Sequence, residues 1–347
     1  MAEIDCNKDL RAYHNEKVTL GKSDQDTMRS RRDSGRTRLR NGLTRLEKPV
    51  PEKIESQGSY SMKTMVQDDA CEYDIDDGVY FKPEDLTWLV VFELSPADAR
   101  ARVCEALSDD ERLKSPAEVK RNCVRQTYPQ GYHIDYPVYR IKTETNSDGN
   151  EEEYFELASG DDWVRSDARA VTSWFNGHVT NLNSGEVNDG SQLRRVVRYT
   201  KKFARSVADW KEKTASGITI TKLVVDYFQS SDGRDDLAIR NTWKAIKKAL
   251  DASTEVNHPV LKDTKLSGKD DDAVTFFKDK LAWALKELNV LDEKDCSHKN
   301  ALEAWDIVFS ASFFAARATE DTKSQKSAFV VTPSKVSERN DDGGRFG

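Results

Sequence analysis

Asp74 and Asp76 flank Ile75, and fourteen residues separate Asp74 from the small-residue pair Gly58-Ser59 within Gln57-Gly58-Ser59-Tyr60. On a β-strand, side chains at i and i+2 point to the same side, so these two carboxylates can hold a divalent metal between protein and phosphate. A Gly-Ser turn lets backbone N–H groups come close to a triphosphate. The combination suits nucleotidyl transfer. That reaction asks a protein for in-line geometry and for positive charge against the phosphates, most often from two magnesium ions. A third carboxylate should come from another β-run with apolar flanks, to help hold the ion that activates the attacking hydroxyl. His133-Ile134-Asp135-Tyr136-Pro137-Val138-Tyr139 offers it, because Asp135 sits mid-strand where a charge without a partner is costly. Asp74, Asp76 and Asp135 are therefore the expected catalytic and metal-binding residues, with two Mg2+ ions (or Mn2+) as cofactor. Asp77 adjoins the pair, but its side chain should point to the opposite face.

These residues need elements to place them. A long helix is expected from Asp24 to Leu46, begun at Ser23 or Asp24 and stopped before Pro49 and Pro51, with Gly35 and Gly42 weakening it. Short β-prone runs follow at 72–81, 88–92, 124–128, 132–142 and 152–157. A helix opens at Ser95-Pro96-Ala97-Asp98, with proline at its first position. Asn146 to Asn150 is a turn, so the last two runs form a hairpin. Apolar residues at three- and four-residue spacing then predict helices near 163–178, 188–212, 217–229, 235–252, 270–289 and 298–320. The polar stretch from Asp321 to Gly347 reads as a flexible tail. The expected domains are 1–160, a spine helix with a catalytic core; 161–320, a helical domain completing the nucleotide cleft; and 321–347, the tail.

Composition narrows the class. The chain has 347 residues, a formal net charge of −7 and 33% charged residues; its mean hydropathy is −0.76. No apolar run approaches a bilayer span and no secretory leader stands at the N-terminus, so a soluble cytoplasmic protein with no membrane partner is expected. Five scattered cysteines without a C-x-x-C pair suit reduced thiols. The five histidines show no ligand spacing, so no zinc is expected. The acidic balance argues against an obligatory nucleic-acid partner. Arg29, Arg31, Arg32, Arg36, Arg38, Arg40 and Arg45 crowd the long helix, as a solvated face pairing with the acidic remainder or as a surface toward polyphosphate or RNA.

Gly58-Ser59, Asp74-x-Asp76 and Asp135, in this order, resemble the polymerase-β-type nucleotidyltransferase superfamily. The Gln57-Gly58-Ser59-Tyr60 form of the loop, the gap to Asp135, the preceding long helix and the helical second half are similar to the cGAS/DncV-like nucleotidyltransferases (CD-NTases) of bacterial anti-phage (CBASS) signalling. The resemblance implies an α+β fold: a polymerase-β-like core of small mixed sheet, flanking helices and spine helix, plus a C-terminal helical domain. It implies an enzyme joining ATP, GTP or other nucleoside triphosphates into a cyclic di- or trinucleotide with release of pyrophosphate. Carried over by residue, Gln57, Gly58, Ser59 and Tyr60 would lie at the donor nucleotide. Lys201 or Lys202, on a helix, and Ser216 would contact its triphosphate, and Arg125 would face the acceptor base or phosphate. Tyr60, Tyr136 and Tyr139 are candidates to stack a purine, whereas Trp163, Trp174 and Phe175 read as core, and His258 to Asp263 as a simple turn. The product would act on a downstream effector, and an E1/E2-like ligase would join the chain through Gly347 to target molecules. Two other readings stay open: a linear oligonucleotide or RNA-tailing polymerase, and a non-catalytic nucleotide sensor that kept the fold.

Overall fold

Alternation organises the central strand. In Asp74–Phe81, Ile75, Val79 and Phe81 enter an apolar core, while Asp74 and Asp76 face the other way. The computed structural model describes residues 4–68, 74–88, 92–108, 115–145, 148–183 and 190–317. The tail from 321, with the expected ligase target Gly347, lies outside the described residues, as do Tyr73 and Cys71.

In chain order the elements are α1 (Asn7–Tyr13), α2 (Lys22–Arg45), β1 (Lys53–Gln57), α3 (Gly58–Ser61), β2 (Asp74–Phe81), β3 (Thr87–Trp88), β4 (Phe92–Glu93) and α4 (Pro96–Ser108). There follow β5 (Glu118–Val119), β6 (Val124–Thr127), β7 (His133–Tyr136), β8 (Val138–Thr145), β9 (Glu151–Ser159) and β10 (Asp162–Arg165). The remainder is α5 (Ala168–Asn183), α6 (Gly190–Ala204), α7 (Gly217–Tyr227), α8 (Asp235–Ala252), β11 (Val256–Asn257), β12 (Lys265–Ser267), α9 (Asp272–Glu287) and α10 (His298–Phe309). The main sheet runs β10-β9-β8-β2-β7-β6-β5, with β1 antiparallel to β2. β2 is parallel to β7 through Asp74–Asp76 and to β8 through Val79–Phe81. Pro137 divides the expected run 132–142 into these two strands; its carbonyl accepts from the Val79 N–H.

Helices α2 and α4 cover one face of this sheet, burying Met28, Leu39, Leu43, Val103 and Leu107 against Ile75, Val79 and Ile134. Ser95 caps α4: its hydroxyl accepts from the Asp98 N–H at 3.1 Å. Gly35 and Gly42 prove to be points of close approach within α2. A Cβ at Gly42 would lie 2.0 Å from the Ala106 carbonyl oxygen, and one at Gly35 1.9 Å from the Tyr136 hydroxyl. Trp163 lies on β10, with the Arg140 guanidinium 4.7 Å from its ring, so the expected helix at 163 begins only at Ala168, after Asp167 accepts from the Ala170 N–H.

A second core joins α5 to α10 through Phe175, Leu193, Val197, Phe203, Trp243, Phe277 and Trp305. Cys6, Leu10, Tyr13 and Val18 belong to it as well, so the N-terminal segment packs with the helical half rather than with the sheet, and a boundary at 160 does not separate the two cores. No helix among the described residues is long and apolar enough to cross a membrane.

Candidate active site

The parallel register of β2 and β7 pairs Asp74 with His133 and Asp76 with Asp135, and strand alternation sends all four side chains to the sheet face opposite α2. Asp74, His133 and Asp135 each offer a ligand atom, all within 4.8 Å of one another, a spacing that a divalent ion can bridge. Asp76 stands against the donor loop: a Cβ on Gly58 would meet its Oδ2 at 2.3 Å. Gly58 also adopts a φ of 65°, in the left-handed region, so two independent constraints demand glycine there. Asp77, on the opposite face as expected, receives Arg36 of α2 through Nε at 2.7 Å and Nη2 at 2.5 Å. Part of the arginine-rich helix thus pins β2 from behind. Arg32 contacts Ser56 and Tyr60, and Arg31 lies over Tyr128.

The electrostatics separate these carboxylates. Burial pushes the Asp76 carboxyl well above its ordinary range, and the charges of Asp74 and Asp135 push it further. Burial acts in the same direction on Asp74, but His133, Arg125 and Arg205 outweigh it and hold that carboxyl below its usual range. Asp135 is tied to Arg125, its register partner on β6, by two hydrogen bonds of 2.8 and 2.7 Å.

Across a cleft of ≈ 410 Å³ the helical half supplies opposite charge. Lys201 on α6 reaches Thr64 at 3.2 Å and is buried. Burial, together with Arg205 and Arg198, brings its ammonium down to about 7. A Cβ at Gly217 would lie 4.0 Å from Lys201 Nζ, so the first turn of α7, with its free N–H groups, opens beside the amine. Arg205, one turn beyond Lys201, completes the cationic wall; Ser166, Asp167 and His258 line the rest.

The other expected residues are placed as follows. Ser59 lines the cleft with Gly58. The Gln57 side chain is enclosed on the sheet: its Nε2 donates to the Tyr139 hydroxyl and its Oε1 accepts from Tyr80, both at 2.9 Å. It supports the loop instead of reaching into the cleft. Tyr60 turns toward α2, where Arg29 and Arg32 donate to its hydroxyl. Tyr136 and Tyr139 are buried, Tyr139 stacked on Tyr80 at 4.6 Å, so neither has a face for a purine. Lys202 points away from the cleft and donates to the Gln67 carbonyl. Ser216 caps α7, its hydroxyl accepting from the Thr219 N–H, while the following Gly217 and Ile218 line the cleft. Arg125 is engaged with Asp135. Sequence reasoning misses Thr64 and Arg205, which carry no local pattern, and takes His258 for part of a turn although its loop reaches the cleft.

A mixed sheet bearing paired strand carboxylates beside a Gly-Ser loop, closed by a helical half, has the architecture of an α+β nucleotidyltransferase fold. Residues 52–139 match the family model described as "Cyclic GMP-AMP synthase DncV-like, nucleotidyltransferase domain". The fold of the chain is similar to the Vibrio cholerae DncV cyclic AMP-GMP synthase in complex with the linear intermediate 5′ pppA(3′,5′)pG, with a TM-score of 0.68 and 17% identity over 89% of this chain and 97% of that one. It is also similar to Escherichia coli DncV in its 3′-deoxy GTP bound form, with a TM-score of 0.66 and 19% identity over 90% and 97%.

Proposed function

We propose that the chain joins nucleoside triphosphates, ATP and GTP foremost, into a cyclic di- or trinucleotide and releases pyrophosphate, as a signal in anti-phage defence. The observation that carries this reading is the parallel β2–β7 register. It gathers Asp74, Asp76 and Asp135 on one face, opposite Lys201 and the N-terminus of α7. The donor triphosphate would lie between the Gly58-Ser59 loop and the α6–α7 wall, where Lys201, Arg205 and the free N–H groups of α7 offset its charge. Asp74, Asp76 and Asp135, with His133 within ligand reach, would hold divalent metal; the donor set fits Mg2+ and Mn2+, which take carboxylate oxygens. When bound, such ions neutralise the triphosphate and lower the pKa of the attacking ribose hydroxyl. A ribose oxygen would then bond to the α-phosphorus as the α–β bridging bond breaks and pyrophosphate departs. A second such transfer within the linear product closes the ring.

Mass spectrometry of products from all four triphosphates, with and without phosphatase, tests the reading. A phosphatase-resistant cyclic product is expected, and a linear ladder would favour a tailing enzyme instead. The structural likeness to the Vibrio cholerae DncV cyclic AMP-GMP synthase, a structure that holds a linear intermediate, supports the cyclising form. We further propose Gly347 as the attachment point for an E1/E2-like ligase; unchanged conjugation after its deletion in cells with the ligase would exclude this.

A further inference from the structure

The carboxylates of β2 and β7 share their face with an imidazole. His133 stands two residues before Asp135 on β7, so the two side chains point the same way, and the parallel register sets His133 directly opposite Asp74. His133 Nε2 lies 3.8 Å from Asp74 Oδ2, and the imidazole is largely covered, at 13% exposure. Its side chain makes no hydrogen bond with a described residue. The 3.8 Å gap is too long for a hydrogen bond and of the size that an ion with bonds of ~2 Å to either side spans. Among the described residues, the ligand atoms that lie within 4.8 Å of one another belong to Asp74, His133 and Asp135. Asp76 is outside that set, its carboxylate standing against Gly58. Each Asp135 oxygen accepts one bond from Arg125, which leaves a second lone pair on each. The place best formed for a cation thus offers two carboxylates and one nitrogen rather than three carboxylates.

The nitrogen changes which ion the site favours. Mg2+ takes oxygen ligands and sheds its water reluctantly, so an imidazole adds little to its binding. First-row transition ions accept imidazole, and Mn2+ among them also suits an oxygen-rich set. We propose that His133 ligates the metal through Nε2 beside Asp74 and Asp135, and that this nitrogen makes the site select Mn2+ over Mg2+. The inference rests on the metal-dependent reading above for its purpose, whereas the ligation itself is independent of turnover. A plain counter-charge for Asp74 would need only proximity and would not distinguish the two ions.

Electron spin-echo modulation of Mn2+ bound to the full chain, with and without α,β-methylene-ATP, tests the ligation. Directly bound nitrogen should appear as 14N modulation that changes to a 15N pattern in protein labelled with [15N]histidine; nitrogen from the nucleotide would not respond to that label. His133→Gln should remove the modulation and weaken Mn2+ binding at least tenfold. It should alter Mg2+ binding, read by competition with Mn2+, less than twofold. The labelled parent protein carries the test if the substituted chain does not fold. No bound Mn2+, no histidine-nitrogen coupling in either condition, or coupling that persists in His133→Gln overturns the ligation. Equal losses for Mn2+ and Mg2+ in His133→Gln overturn the selection. Mn2+ held through His133 in a chain that forms only linear products, or none, would count against the proposed function and leave this ligand in place.

Discussion

Arg125 grips Asp135 edge-on, Nε to Oδ1 at 2.8 Å and Nη2 to Oδ2 at 2.7 Å, so a guanidinium stands where the proposed reaction needs a metal ion. The pair bridges neighbouring antiparallel strands in register, and Asp135 is almost wholly buried at 7% side-chain exposure. An arginine in this position satisfies a buried carboxylate when no ion is present.

Removing that arginine leaves the carboxylate uncompensated. Arg125→Ala should destabilise the metal-free protein by about 1–3 kcal/mol. Millimolar Mn2+ should restore most of the loss, because the ion occupies the vacated charge position. Thermal melts with and without Mn2+ check this; an equal deficit in both conditions would mean that Arg125 supports the sheet without any relation to metal.

Asp76 carries the opposite imbalance. Its folded-state pKa lies above its unfolded value, so the folded protein binds more protons near the carboxylate range. The stability contributed by the protonated form is present at acidic pH and is lost as pH rises through the raised folded value. Asp76→Asn should therefore flatten that loss, leaving the metal-free protein at least as stable as the parent at pH 7 while abolishing turnover. Urea unfolding across pH 4–8, set beside a pyrophosphate-release assay, separates the two effects. A variant less stable than the parent at neutral pH would show that the repulsion among these carboxylates is already relieved.

The period-two pattern makes the site's core readable from sequence: Asp74-Ile75-Asp76 can present both charges to one side only if Ile75 enters the core, and Ile134 repeats the constraint for Asp135. The helices after 190 are equally readable, because their apolar stripes meet a core with the period of a helix. What sequence does not disclose is pairing across distance. Arg205 is an ordinary helix-end arginine until the fold places it in the wall of the cleft. Gln57 matches a donor-loop motif, yet Tyr80 and Tyr139 claim its side chain. Trp163 has the spacing of a helix face but is taken by pairing with Ala158, which extends the sheet.

Gly42 tests the same lesson in energetic terms. On propensity, alanine in the interior of α2 should gain about 1 kcal/mol. The structure opposes this: the new methyl would sit 2.0 Å from a main-chain oxygen of α4, and backbone cannot swing aside as a side chain can. Gly42→Ala should thus lose about 1–3 kcal/mol net, the usual range for overpacking. Chemical denaturation measures it, and a stabilised variant would show that α2 and α4 are not in close contact.

Lys201 should couple nucleotide binding to proton uptake. Its amine is drawn down to about 7 by burial first, then by the neighbouring charges of Arg205 and Arg198, so a large share is neutral at pH 8. A triphosphate beside it favours the ammonium, and the bound state must take up a proton to form it. Affinity for α,β-methylene-ATP should accordingly rise as pH falls from 9 toward 7 and level off below. Calorimetry at pH 8 in buffers of different ionisation enthalpy should report uptake of a fraction of a proton per site beyond that of the nucleotide itself. Lys201→Arg, charged throughout this range, should abolish that excess while retaining binding, and Lys201→Met should weaken binding about tenfold or more, the scale of one charge-assisted contact. Proton uptake identical in the parent and in Lys201→Arg would place the triphosphate away from this amine, and with it the wall formed by α6 and α7.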